Sequence, residues 1–397
     1  MTWQRTRLKY LAAEPIVNGL GESATLEDES WPRYIRTTDF AGPRTLREET
    51  KATLPPAVAR KAEVRRGDVL MSAAGTVGKT FLYDSDEPAC YAGYLVRFRP
   101  TSNVDPRFVA YWTETPLFLD QIETGKVTST IDNFSASKYQ NLSMSIPDRA
   151  TQRAIADYLD TETARIDALI DKKQRLRDLA VLRSQSRIAF LLDQFDDVPL
   201  QHLTDSRRPI VYGIVQAGEH DPEGVPYIKS GDVMALAGRV LSRTSRAIHQ
   251  QYSRSHVRPG DLVIAMRASI GALARVPDSL HEANLTQGTA RIAPARGIDG
   301  SWLFYALKLP RVQEEMSLRA VGTTFRTLNI WDLRRIAIPT PPAVDQPALA
   351  AQAEQLERQA ALLVQKLDEQ IQLLRERRQA LITATVTGEL EVSGVAA

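Results

Sequence analysis

Two stretches of this sequence keep a helical rhythm over long distances, while the rest breaks every few residues. From Gln152 to Phe195 the chain has neither proline nor glycine, and Ile155, Leu159, Ile166, Leu169, Leu176, Leu179 and Leu182 recur near one helical face. The second stretch is more regular. Leu349, Ala353, Leu356, Ala360, Leu363, Leu367, Ile371 and Leu374 take steps of three and four, the spacing of a coiled-coil seam. Two four-residue steps in succession, from Leu363 to Ile371, locally relax the twist. Pro339, Pro341, Pro342 and Pro347 stiffen the approach, and Gly388 supplies the stop. The pattern predicts long helices within residues 148–197 and 341–390, with a tail at 391–397. At about 1.5 Å per residue the first would reach roughly 60 Å. A seam on one face needs a partner, and the other helix is the nearest. Antiparallel pairing would set a globular domain at each end of a rod. The competing arrangement packs each helix on its own domain.

Residues 1–147 and 198–340 are punctuated by Gly, Pro and Asp between short apolar runs. Val69-Leu70-Met71-Ser72, Tyr94-Leu95-Val96-Arg97-Phe98 and Leu262-Val263-Ile264-Ala265 read as strands bounded by turns. Pro106 opens a short helix through Phe108-Val109-Ala110-Tyr111-Trp112, and Ser301-Trp302-Leu303-Phe304-Tyr305-Ala306-Leu307 is its counterpart. The expected fold class is α+β: two globular domains alternating with two long helices that pair as an antiparallel coiled coil.

The alternation reflects an internal duplication. Pro15-Ile16-Val17 echoes Pro209-Ile210-Val211, and Tyr34-Ile35-Arg36 with Asp39 echoes Tyr227-Ile228-Lys229 with Asp232. Val64-Arg65-Arg66-Gly67-Asp68-Val69-Leu70 echoes Val257-Arg258-Pro259-Gly260-Asp261-Leu262-Val263. Val77-Gly78 matches Ile270-Gly271, and Ile146-Pro147 matches Ile338-Pro339. The offset stays between 192 and 194 throughout, a register that chance similarity would not hold.

Composition narrows the picture without deciding it. A chain of 397 residues, 43% hydrophobic and 25% charged, has room for two or three ordinary globular domains. Neither a secretory leader nor a bilayer span is expected, so the expected location is cytoplasmic. One cysteine, Cys90, excludes an intramolecular disulfide framework and a cysteine-rich zinc cage. The net charge of +2 gives no signal for a polyanion. Its distribution says more: residues 201–340 carry 18 basic against 12 acidic groups, 341–397 carry 5 against 8, and 1–150 carry 19 of each. The second domain could attract nucleic acid, whereas the first would need a locally arranged basic surface.

The order domain–helix–domain–helix resembles the specificity subunits of type I restriction–modification systems, over essentially the whole chain. The match is carried by Arg66-Gly67-Asp68-Val69-Leu70 with Gly75-Thr76-Val77-Gly78, and by Pro259-Gly260-Asp261-Leu262-Val263 with Ile270-Gly271. The helix starts Gln152-Arg153-Ala154-Ile155-Ala156 and Gln346-Pro347-Ala348-Leu349-Ala350 are similar to the family's Gln-x-x-Ile-Ala motif. Asn284-Leu285-Thr286-Gln287-Gly288 and Gly322-Thr323-Thr324-Phe325-Arg326 look like its recognition-domain loops. Two places depart. Asp148-Arg149 replaces a second proline and acidic residue, and Gly125-Lys126-Val127-Thr128-Ser129-Thr130 copies the Gly322 loop poorly. The resemblance implies two target-recognition domains that read an asymmetric bipartite site on double-stranded DNA, one half-site each. It also implies two methyltransferase subunits, and a restriction/translocase subunit, as partners. S-adenosylmethionine, and ATP with Mg, would be held by those partners and no cofactor by this chain.

Reading bases needs polar side chains delivered to groove edges and cations on phosphates. The candidates in the first domain are Arg36, Lys79, Lys126, Ser129, Asn133 and Lys138. Those in the second are Lys229, Arg267, Ser269, Arg319, Thr323, Thr324, Arg326 and Asn329. For each of them, a solvated side chain or a loop-capping group is the competing reading. Partner docking is assigned to the outer helix faces, where Arg165, Lys172, Lys173, Arg175, Arg375, Arg377 and Arg378 cluster, although such charges equally suit a solvated flank.

Catalytic chemistry is not expected. Gly75-Thr76-Val77-Gly78-Lys79-Thr80 has Ala73 where a phosphate-binding loop needs glycine, and its copy lacks the lysine, so a tight turn explains it better. The five histidines show no metal-ligand spacing. There is no Asn-Pro-Pro-aromatic tetrapeptide of the kind DNA amino-methyltransferases use. Asp68 and Asp261 match across the repeat, but Asp after Gly in a turn commonly caps backbone amides. Two rival readings stay open: a coiled-coil adaptor that binds proteins instead of DNA, and a nuclease with unrecognised carboxylates.

Overall fold

The computed structural model describes residues 3–23, 26, 28–125, 133–322 and 326–392. They form two compact units, residues 1–174 with 369–397 and residues 175–368. Helix and strand are mixed in both.

In the first unit Val69–Ser72 lies between Leu95–Phe98 and Thr80–Leu82, and Val17–Asn18 pairs the far side of Leu95–Phe98, all antiparallel. A second sheet sets Ala89–Tyr91 between Arg33–Ile35, which is parallel to it, and Glu63–Val64. In the second unit Leu262–Ala265 lies between Leu273–Arg275 and Thr289–Ile292. There Val225–Ile228 pairs antiparallel with Ser242–Thr244 and parallel with Asn284–Leu285. The strands expected at Val69–Ser72 and Leu262–Ala265 are present and buried along their length, as their unbroken apolar sequence requires. One strand is shorter than expected. It starts at Leu95, and Tyr94 before it is 71% exposed.

The Gly75–Gly78 segment is a strand-to-strand turn, with φ of +76° at Gly75 and +86° at Gly78. The equivalent turn keeps Gly271 at +83° but places Ala268 at +58°, the one non-glycine with positive φ among the described residues. A side chain in that region costs about 1–2 kcal/mol.

Both short helices form where proline and apolar spacing put them. Pro106–Thr113 is capped by Asp105, whose carboxylate accepts from the Arg107 amide at 2.8 Å. Gly300–Leu307 is capped by Asp299, which accepts from the Trp302 amide at 2.7 Å. Their apolar faces fill the cores. Phe98, Phe108, Trp112, Phe118 and Tyr139 are buried in the first unit, and Ile264, Trp302, Leu303 and Val312 in the second.

The long helices are Arg149–Leu192 and Gln346–Val386. Each is tied to a globular core by a buried glutamine in its first turn. The Gln152 carboxamide accepts from the Asp105 amide at 2.8 Å and donates to the Pro147 carbonyl at 2.8 Å. The Gln346 carboxamide accepts from the Asp299 amide at 2.9 Å and donates to the Pro341 carbonyl at 3.2 Å. Each clamp thus joins the start of a long helix to the cap of a short one.

The helix faces differ in detail from the expected seam. Ile155 and Leu159 are buried in the globular core of the first unit, together with Ile382 and Val386. Ile166, Ile170 and Ile371 form a separate buried cluster edged by Leu374 and Leu381, and Leu367 is buried in the second unit. Leu349 packs partly buried on the second core, and Leu356 is half-buried. Leu169, Leu176 and Leu363 are exposed by 42%, 49% and 41%, so the seam drawn through them is not a buried line. Leu179 and Leu182 are exposed as well. The inward face of the first helix instead runs through Gln152, Ile155, Ala156, Leu159, Thr163, Ile166 and Ile170, close to the 3.6-residue period. The expected apolar face omits the polar Thr163 and has Leu169 in place of its neighbour Ile170.

Within the first unit the two helices touch in opposite order. Asp167 pairs with Arg378 at 3.1 Å, and Lys173 donates to the Gln370 side chain at 2.6 Å. In the second unit Arg177 pairs with Asp368 at 3.3 Å, and the Ser184 hydroxyl donates to the Leu356 carbonyl at 3.1 Å.

Replacing Gln346 by Leu keeps the volume but leaves the buried Asp299 amide and the Pro341 carbonyl without their partner. The variant is expected to lose about 2–3 kcal/mol of unfolding free energy in urea titration, the cost of orphaned buried polar groups. A loss under about 0.5 kcal/mol would remove the clamp from the account of the fold.

Candidate nucleic-acid interface

A concavity of the first unit, about 1040 Å³, opens between the Gly75 turn, the loop after Arg33–Ile35 and the Leu20–Glu22 and Ala92–Tyr94 segments. Arg36 and Lys79 both line it, so the structure brings these two expected residues together. Their circumstances differ. The Arg36 guanidinium donates to the Asp39 carboxylate at 3.0 Å and to the Thr50 carbonyl, which ties it to its own turn. The Lys79 ammonium is exposed and has no hydrogen bond or ion pair among the described residues. Asn133 is exposed and bridges the backbone of Ala74 at the rim. Lys138 lies elsewhere. It lines a separate shallow depression and donates to the Gly125 carbonyl at 2.7 Å, holding the end of the helix Pro116–Gly125. Lys126 and Ser129 fall outside the described residues.

Two residues of this cleft escaped the sequence reading. Arg47 is exposed and its guanidinium has no partner among the described residues. Tyr94 presents a largely exposed ring. The signal for Tyr94 was available: an aromatic directly after Gly93 sits at a turn as readily as in a strand. For Arg47, in a stretch rich in both charges, the sequence offered none. Tyr34 lines the floor, donating to the Leu20 carbonyl at 2.7 Å; burial raises its pKa above 10, so the hydroxyl remains a donor.

In the second unit the matching loops carry other side chains. Arg267 and Ser269 are exposed in the turn, and the Arg267 guanidinium reaches the Gln287 side chain at 3.5 Å, where the first unit has Gly93. The backbone of Arg267 bridges Thr327, and the Leu328 amide donates to the Met266 carbonyl at 2.9 Å, so Thr327 and Leu328 pack beside the turn. The first unit has the same bond, from the Phe134 amide to the Ala73 carbonyl at 2.8 Å.

Other candidates of the second domain are committed to local structure. Arg326 donates to the Ser317 and Ala320 carbonyls at the end of the helix Pro310–Arg319. Arg319 is paired with Glu315 at 2.7 Å and lies 3.9 Å from Asp332. Asn329 caps the helix Ile330–Arg334 through the Asp332 amide at 2.8 Å. Lys229 is exposed and donates to the Ser242 hydroxyl at 2.7 Å. Thr323 and Thr324 fall outside the described residues. Of the basic residues assigned to docking, Arg378 is half-buried and paired with Glu114 and Asp167, Lys173 is half-buried with Gln370, and Arg165 pairs with Glu162. Lys172, Arg175, Arg375 and Arg377 are exposed.

The matching aspartates are structural. Asp68 accepts from the Arg65 amide at 2.8 Å and from Arg99, and Asp261 accepts from the Arg258 amide at 2.7 Å and from Arg208. Each is buried and closes its turn. Among the described residues no group of three His, Cys, Asp or Glu side chains could hold a metal ion, and no helix is long and apolar enough to cross a membrane.

Residues 35–177, which include most of the cleft, match the family model of the type I restriction modification DNA specificity domain. The resemblance to type I specificity subunits holds. The chain is 24% identical over 314 residues to the type I restriction enzyme EcoBI specificity subunit of Escherichia coli, an alignment covering 70% of this chain. That alignment takes in 65% of the relative's length, just under two thirds. The StySPI specificity subunit of Salmonella potsdam is 25% identical over 101 residues, covering 25% of this chain and 21% of that one. Solved structures share the fold from end to end. A chain in a structure described as the basis of complex assembly and conformational transition of the type I R-M system superposes with a TM-score of 0.78 at 16% identity, covering 98% of both chains. The HsdS subunit from Thermoanaerobacter tengcongensis gives 0.56 at 18% identity, covering 98% of this chain and 97% of that one.

The geometry separates side chains that are available from those that are committed. Asn329→Ala is expected to cost about 1 kcal/mol of stability, as loss of a helix cap does. Lys79→Ala and Arg47→Ala should each stay within about 0.5 kcal/mol of the parent, since neither side chain supports the fold. Urea denaturation of the three variants distinguishes the classes, and equal losses would contradict the assignment.

Proposed function

We propose that this chain is the DNA-recognition subunit of a type I restriction–modification complex, located in the cytoplasm, and that it performs no chemistry itself. The observation that carries the reading is the coincidence of the specificity-domain match with a cleft presenting Arg47 and Lys79, unpaired among the described residues, and the exposed ring of Tyr94. Such a set suits phosphate contact and base-edge contact at once. In this reading residues 1–147 and 198–340 are target-recognition domains, copies of one unit, each reading one half of a bipartite target. Their corresponding loops differ, with Tyr94 against Gly288 and Lys79 against Ala272, so the half-sites differ as well. Methyltransferase subunits, and the restriction/translocase subunit, dock on the chain and bring S-adenosylmethionine and ATP with Mg. The match to a DNA specificity domain disfavours an adaptor that binds proteins alone.

The division of labour has a direct test. With S-adenosylmethionine and DNA, the purified chain is expected to transfer no methyl group, and transfer should begin on adding the cognate methyltransferase subunit. Turnover by the chain alone would reject the proposal.

The long helices are proposed to pair as an antiparallel coiled coil that sets the distance between half-sites. The opposed contacts within each unit, Asp167 with Arg378 and Ser184 with Leu356, support this. Inserting four residues after Leu182 adds about one helical turn, roughly 6 Å. Because a base pair rises about 3.4 Å, the unread spacer should lengthen by one or two, with both half-sites unchanged. Sequencing methylated sites reads the outcome, and an active mutant with an unaltered spacer means that the helices are not the ruler.

A further inference from the structure

A cleft of about 820 Å³ in the second unit lies apart from the Arg267 turn and is lined by Arg207, Arg208, Arg254, Arg258, Arg291 and His256. Arg207, Arg254 and Arg258 are exposed, and their guanidinium groups have no hydrogen bond or ion pair among the described residues. Arg291 is buried to 3% exposure. Its terminal nitrogens donate to the His256 and Pro209 carbonyls, while its Nε has no partner. Burial, and then the charge of Arg208, lowers the Arg291 pKa, as expected for a cation short of counter-charge. Glu282, the one acidic group among the described residues that line the cleft, is engaged by His249 at 3.0 Å.

Apart from Arg208, which pairs with Asp261, the fold does not require this concentration of charge, because the first unit builds the same frame without it. There Arg97 donates to the Glu63 carbonyl at 2.8 Å, as Arg291 does to that of His256. At the position of Arg208 the first unit has Glu14 and at that of His256 it has Glu63, while Arg207 lies in a segment between Asp205 and Pro209 that is two residues longer than its counterpart between Ala13 and Pro15. Glu14 neutralises Arg97 and Arg99 at 2.6 Å, and Glu63 neutralises Arg65 at 2.7 Å. One acid of the first unit, Glu14, is thus replaced by a cation in the second, and another, Glu63, by an imidazole. Unpaired like charges gathered in one concavity repel each other unless an anion joins them.

We infer that this cleft is a binding site for phosphate groups, held by Arg207, Arg254 and Arg258 around the fixed pair Arg208 and Arg291. Guanidinium forks match phosphate oxygens in geometry as well as charge. Resting on the DNA-recognition reading, the favoured source is a backbone phosphodiester of the bound duplex, contacted without regard to sequence. A free oligophosphate has the same chemistry and is separated by experiment.

The full-length chain is compared with the triple variant Arg207→Gln/Arg254→Gln/Arg258→Gln. A charge-matched control carries Arg183→Gln/Arg187→Gln/Arg296→Gln, whose side chains are exposed and unpartnered among the described residues. Calorimetry with inorganic tripolyphosphate should show binding that weakens at least tenfold in the cleft variant and not in the control. Binding to a random-sequence duplex, followed against salt, should show a log–log slope smaller by about 2 for two lost phosphate contacts. Loss of tripolyphosphate binding with an unchanged DNA slope assigns the site to a free phosphate ligand; loss of both assigns it to the backbone. No tripolyphosphate binding by the parent, or equal losses in both variants, overturns the inference. If no form of the chain binds DNA, the recognition reading fails, while the tripolyphosphate measurement still decides the cleft.

Discussion

The arrangement of each unit depends on a buried carboxamide. Gln152 and Gln346 face two groups that a helix start normally leaves to water: the carbonyl of the preceding proline and the amide of an aspartate that itself caps a short helix. An amide side chain suits this place because it carries a donor and an acceptor on one rigid plane. A carboxylate would lack the donor, and an apolar residue would strand both backbone groups at about 1–3 kcal/mol each. The clamp also fixes direction. With the aspartate cap, the proline and the glutamine joined, the long helix leaves its domain at one angle, and the apolar faces of Pro106–Thr113 and Gly300–Leu307 meet the sheets behind them.

A second constraint is held constant while its donors change. Asp68 and Asp261 each close a turn by accepting from a backbone amide three residues earlier. The guanidinium that completes the pair comes from Arg99 in the first unit and from Arg208 in the second. Position 99 has become Ala293, and position 14, a glutamate, has become Arg208. The two changes compensate: the turn keeps one buried ion pair, and the acid that balanced Arg97 and Arg99 is gone. Breaking such a pair by a single change would leave a buried charge, which is strongly destabilising. Divergence between the units has therefore moved partners around a fixed aspartate and left the aspartate in place.

Elements with a strong period were legible in the sequence, and those built from exceptions were not. The buried strands Val69–Ser72 and Leu262–Ala265, the Pro106 helix and both long helices follow from apolar runs, caps and the absence of breakers. The helix faces were legible only in part, because inward positions such as Gln152 and Thr163 are polar and satisfied by hydrogen bonds, the latter to the Leu159 carbonyl at 2.6 Å. Hydrophobicity therefore points away from them. Ala268 was equally hidden, since nothing about alanine signals a positive φ. At the candidate site, sequence gave Arg36 and Lys79 through their place beside duplicated turns. It could not distinguish a free cation from one already spent: Arg326, Arg319 and Lys138 have the same composition signal as Lys79, and their partners are carbonyls and acids reached only through the fold.

That difference bears on how recognition could diversify without cost to the fold. In both units the clamp, the capped short helix and the aspartate turn are buried or hydrogen-bonded, and they recur at positions 193–194 apart. The residues at the mouth of the cleft recur in place but not in kind, and Lys79, Arg47 and Tyr94 are exposed. Substitutions at exposed, unpartnered positions change stability by about 0.5 kcal/mol or less. Such positions are free to follow a changing ligand, whereas a change at Gln152 or Asp68 would have to be compensated inside the core. A scaffold with its polar demands met internally, carrying loops with theirs unmet, directs those unmet groups to whatever binds the loops.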